Sequence, residues 1–62
     1  MTTLKKQLEK ALQYELILSH LYQELANKLS HTELGEACKM LANTAQDHIS
    51  QIRRWLVKTC SG

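Results

Sequence analysis

The chain contains no proline, and its only glycines are Gly35 and Gly62. The residues that most often break a helix are therefore missing from residues 3–29 and again from residues 36–59, and each stretch is long enough for many helical turns. Nor is there an apolar run near the roughly 18 residues that a membrane span requires. The first residues, Met1-Thr2-Thr3-Leu4-Lys5-Lys6, lack both the apolar stretch and the small-residue cleavage site of a secretory signal. A soluble, cytoplasmic protein is the expectation. Cysteine is scarce as well: Cys38 and Cys60 are separated by 22 positions, roughly 33 Å along a continuous helix, so they cannot pair within one chain. They form no C-x-x-C spacing, so Cys38 reads as a small core residue and Cys60 as a thiol able to react between chains. Charge of one sign is also limited. Eight Lys and Arg against six Asp and Glu leave a net charge of +2, too small to imply a polyanionic partner.

What is present is a heptad pattern, written twice. At alternating four- and three-residue steps the first stretch offers Leu4, Leu8, Ala11, Glu15, Leu18, Tyr22, Leu25 and Leu29. The second offers Leu34, Cys38, Leu41, Ala45, His48, Ile52, Trp55 and Thr59. These are the a and d positions of two packing helices. Between them lies the only local stop signal, Lys28-Leu29-Ser30-His31-Thr32-Glu33, in which Ser30 and Glu33 have capping-box spacing. The expected fold is all-α: residues 1–62 form one antiparallel two-helix hairpin, with helix one at 3–29, a turn at 30–33 and helix two at 34–59. Short connections make helices antiparallel neighbours.

The pattern is interrupted once in each helix, by Glu15 and by His48. In a hairpin turning at 30–33, residues whose numbers sum to 63 stand level, and this pair does. Glu15 and His48 are therefore expected to face each other inside the hairpin. Ionisable groups in a core are costly unless paired or bound to a metal, which makes them the candidate site. Helix one is also apolar beyond its seam, with Leu12, Tyr14, Leu16, Ile17 and Leu21 around Glu15 and Leu18. One hairpin cannot bury them all. A homo-oligomer, a dimer or a multiple of it, is expected to cover them by closing a four-helix bundle. Two Glu15 and two His48 would then meet, a donor set suited to one iron, manganese or zinc ion. The competing reading is a metal-free Glu–His hydrogen bond that sets register and partner choice in a structural or interaction module.

Ala11, Glu15, Tyr22, Leu25-Ala26, then Glu33-Leu34, Leu41-Ala42 and His48 together resemble one half of a ferritin-like, rubrerythrin-type bundle. The resemblance covers most of the chain. It implies a metal-binding four-helix bundle in which Glu15 is a ligand, His48 is the His of an E-x-x-H motif, and Tyr22 stands behind the ligands. The Glu of that motif is Ala45 here. Because that Glu is the family's bridging ligand, di-iron oxidoreductase chemistry is not expected, and neither is a catalytic residue. Asp47 cannot replace it, since it points about 100° away from His48 around the helix.

Other polar groups carry less. His20 and Glu24, four apart on the outer face, have the spacing of a solvated pair or surface metal clip. His31 lies in the turn, and Trp55, level with Leu8, reads as core at the open end. That end is basic: Lys5, Lys6, Lys10, Arg53, Arg54 and Lys58 stand there against Glu9 alone. The chain is also similar around its turn, including Cys38, to the Rop family of dimeric RNA-binding bundles. That family reads RNA with polar and basic side chains on helix one, where this chain has Leu18 and Leu25. An RNA-binding bundle of that kind is the third functional reading, behind the metal-binding and structural ones; nucleic acid is not the expected partner, and, with no apolar run of spanning length, neither is a membrane.

Overall fold

The computed structural model describes the backbone of residues 2–61 and the side chains of residues 3–59. Two helices, α1 (Thr2–Lys28) and α2 (Glu33–Ser61), run antiparallel as a hairpin 46 Å long. Among the described residues there is no strand. Three of the four helix ends carry charges that suit the backbone dipole: Glu33 and Glu36 in the first turn of α2, and Lys28 and Lys58 in the last turns of α1 and α2. The side chain of Cys60 lies outside the described residues. No described helix is long and apolar enough to cross a membrane.

The turn occupies residues 29–32 and is built differently from the expected capping box. The Leu29 N–H donates to the Leu25 carbonyl at 2.9 Å, ending α1, and His31 then takes the left-handed conformation at φ 69°. Thr32, not Ser30, caps α2. Its Oγ1 accepts from the Gly35 N–H at 3.0 Å, and its carbonyl accepts from the Glu36 N–H at 3.1 Å. With Thr32 as the cap, the third helical residue is Gly35, which has no side chain to reach back. Size matters at that position. A Cβ on Gly35 would run into the Leu29 carbonyl, whose carbon would lie only 2.8 Å away. The turn can therefore fold tightly against α2 only because residue 35 is glycine.

The dry contact between the helices is narrower than the heptad reading implies. Its buried residues are Ser19 and Ala26 on α1, and Cys38, Ala42, Ala45, Ile49 and Ile52 on α2, with Gly35 at the turn. On α1, Leu8, Ala11, Leu12, Glu15 and Tyr22 flank this contact half-buried, as does Leu29 at the turn. Of the other expected seam residues, Thr59 is half-buried and His48 exposed, while Leu4, Leu18, Leu25, Leu34, Leu41 and Trp55 are 39–61 % exposed. Trp55 is thus not core in the hairpin. The reason lies in side-chain size. Ser19, Ala26, Ala42 and Gly35 let the two backbones approach closely, and a close pair of helices packs on its nearest stripes. Large a and d residues point past that contact.

Candidate functional site

Heptad spacing shows where the displaced residues go. A seven-residue step turns an α-helix by only about 20°, so Leu34, Leu41, His48 and Trp55 form one stripe along α2, and Leu4, Ala11, Leu18 and Leu25 form one along α1. These stripes lie on the same side of the hairpin. Between them runs a groove of about 180 Å³ lined by Glu15, Leu18, Tyr22, Leu41, Thr44, Ala45 and His48. The opposite side is polar, with a second groove formed by Gln23, Asn27, Lys39 and Asn43 over Ala26 and Ala42. The groove between Leu18 and Leu41 is thus more apolar than the one opposite, although Tyr14, Leu16, Ile17, Leu21, Met40 and Val57, which do not line it, are exposed as well.

Glu15 and His48 meet on the apolar face. Glu15 Oε2 and His48 Nδ1 are 3.0 Å apart, and the two side chains retain 22 % and 49 % of their exposure. The expected pairing is present, whereas its burial inside the hairpin is not. The pair sits at the mouth of the groove because the small-residue contact turns position 48 outward and brings Ile49 in. Against a carboxylate acceptor, a neutral imidazole makes this hydrogen bond in its Nδ1–H tautomer, the one in which Nε2 carries the lone pair. Tyr22 lines the same groove, half-buried. Such an arrangement can hold an imidazole in one orientation and tautomer, as carboxylates do behind metal-bound histidines.

The donors stop at two. Among the described residues no group of three or more His, Cys, Asp or Glu side chains stands together. Ala45 is 3 % exposed, with its methyl group in the interhelical contact. His20 and Glu24 pair at 2.9 Å on the outside of α1, with both side chains at least half exposed, and add no donor to the groove. A metal would fit the Glu15–His48 chemistry only if further donors arrived from outside this hairpin.

Five buried residues escaped the heptad reading: Ser19, Ala26, Gly35, Ala42 and Ile49. Ser19 is buried and accepts a hydrogen bond from Gln46 Nε2 at 2.8 Å, which pins α1 to α2 on the polar side. Ile49 is the most deeply buried large side chain. A second small-residue stripe, Ser19 and Ala26 against Gly35 and Ala42, was the available signal. The fold and site together define an α-hairpin with an interhelical Glu–His pair set in an apolar face. Comparison with protein-family models, curated proteins and solved structures finds no match to this chain.

Proposed function

We propose that this chain is a rubrerythrin-like half-bundle, in which two copies close into a four-helix bundle and bind one divalent iron, manganese or zinc ion between their Glu15–His48 pairs. One observation carries the reading: the Glu–His pair lies on the same face as the exposed large a and d residues. In a bundle of four helices those positions point toward the common axis and only obliquely toward the nearest neighbour. Their exposure in one hairpin is what half of such a bundle presents. A second copy on this face would bury Leu18, Leu25, Leu41 and Trp55 and double the donors to two carboxylates and two imidazoles. With Ala45 in place of the bridging Glu, the assembly has no donor set for two-metal redox chemistry, so its role is binding rather than catalysis.

The test is metal analysis together with sedimentation and calorimetric titration. A dimer should take up about one ion. His48→Ala should abolish uptake while His20→Ala leaves it intact, because His20 lies on the outer face. A second reading is supported by the hydrogen bond itself, which already satisfies one side of the imidazole at 3.0 Å without an ion. In that reading the pair sets partner and register in a structural module. A dimer that binds no metal before or after removal of chelator would select it, and a stable folded monomer would overturn both.

A further inference from the structure

Within the proposed metal-binding dimer, on which this step rests, we infer that Glu15 is a positioning residue and not a ligand. His48 meets the ion through Nε2, one imidazole from each copy, and the remaining coordination positions are open to a small anion. Exposure separates the roles of the two side chains. Glu15 keeps 22 % of its exposure and His48 49 %, so the imidazole is the outer group of the pair and the carboxylate stands behind it. Their contact fixes which atoms are left. Glu15 Oε2 lies 3.0 Å from His48 Nδ1. A metal takes a neutral imidazole through its lone pair, and in the Nδ1–H tautomer that lone pair is on Nε2. The two ring nitrogens point apart, so a carboxylate that accepts from Nδ1–H is turned away from whatever Nε2 holds. A twofold axis repeats this arrangement in the second copy. Of the four donors that the dimer brings together, two imidazoles reach the ion and two carboxylates hold them in orientation and tautomer.

Among the described residues no third His, Cys, Asp or Glu joins the pair, and Ala45, three residues before His48, presents only a buried methyl group. Two imidazoles are fewer donors than a four-coordinate ion requires, so positions remain for water or an exchangeable ligand. Charge decides which ligand. Two carboxylates in contact would neutralise a divalent ion, whereas two neutral imidazoles leave its charge intact, and the ion is then the largest local charge beside the groove. It draws a small anion in preference to a neutral molecule. The groove holds only about 180 Å³ between Leu18, Tyr22, Leu41 and Thr44, which limits that anion to a few atoms.

Cobalt(II) is the probe, because its visible absorption reports the number and type of its donors. Glu15→Gln keeps an acceptor oxygen for Nδ1–H but gives up the charge that makes a carboxylate a good ligand. The variant should still bind cobalt with a spectrum like that of the parent, at an affinity reduced roughly 10–100-fold, the usual effect of changing a residue behind a metal ligand. A dimeric variant that takes up no cobalt, or whose spectrum shows a changed donor set, would make Glu15 a ligand and overturn the assignment. Azide added to the cobalt-loaded parent should change its spectrum and saturate; a spectrum indifferent to azide would overturn the open positions. A further measurement needs no metal. Nitrogen–proton NMR of the His48 side chain at mildly alkaline pH should show the Nδ1–H tautomer, and the Nε2–H tautomer would overturn the positioning role whether or not the variants fold. A parent dimer that takes up no cobalt would remove the metal-binding reading itself, a result distinct from each of these, and the assignment with it.

Discussion

Glu15 and His48 share a hydrogen bond that neither can replace alone, so single and double substitutions should behave differently. Glu15→Leu leaves His48 with an unpaired donor on a face that self-association would dry. A lost partner of this kind costs about 1–3 kcal/mol when buried, and the 49 % exposure of His48 in the hairpin places the cost at the lower end for a monomer. Glu15→Leu with His48→Leu should be no less stable than the parent, since apolar replacement of a buried polar pair is often neutral or stabilising. Urea melts of the four proteins check this. A double variant worse than either single would show that the pair does more than satisfy itself, as a metal site would. Ala45 has the opposite character. At 3 % exposure its methyl group fills the interhelical contact, so Ala45→Glu, which writes the E-x-x-H spacing back into the sequence, must open that contact. It should lower the metal-free melting midpoint, and its metal uptake is to be measured beside that loss.

The turn and the start of α2 are governed by three neighbouring residues with separable effects. His31 is the one non-glycine residue with positive φ among those described, a conformation costing an L-residue roughly 1 kcal/mol. His31→Gly should therefore raise stability by several tenths to 1 kcal/mol, read as an upward shift in the urea midpoint with an unchanged slope. Gly35 tests the reverse. Helix propensity alone favours Gly35→Ala by about 1 kcal/mol, but its Cβ would meet the Leu29 carbonyl. A net loss of stability is expected, and a gain would mean that the turn yields more readily than its geometry implies. Thr32→Ala removes the cap and should cost about 1 kcal/mol. Ser30→Ala should cost little, because the Ser30 hydroxyl is not the cap.

For the molecule as a whole, the imbalance between its two faces sets the behaviour. A hairpin whose dry contact consists mainly of small side chains has little core of its own, while many large apolar side chains lie exposed. Folding should therefore be linked to association, with a melting midpoint that rises with protein concentration. Trp55, the single tryptophan, is 53 % exposed in the hairpin, and its emission should shift to the blue over the same concentration range. Leu18→Lys with Leu41→Lys places charge on the apolar face without touching the interhelical contact. Sedimentation should then show a monomer with reduced helicity. A parent protein that is monomeric, fully helical and concentration-independent would contradict this account.

Helix number, helix length and the level pairing of Glu15 with His48 were legible in the chain because they depend on local quantities: absence of proline, heptad spacing and a short connection. The placement of the turn cap was only nearly so. Ser30 and Thr32 are both capping residue types, and the choice between them follows from where the Gly35 backbone comes to rest. Which stripe each helix buries could not be read from spacing. Leu18, Leu25, Leu41 and Trp55 satisfy the a and d pattern as well for a pair of helices as for a bundle of four. Three-dimensional packing separates the cases, because the small stripe of Ser19, Ala26, Gly35 and Ala42 permits a closer approach than the leucines would. That contact turns His48 and the leucines onto an open face, so a pair that the linear pattern places in a core stands instead at the mouth of a groove. The physical reason is that a side chain's burial depends on how close the neighbouring backbone can come, and size complementarity across the two helices sets that distance.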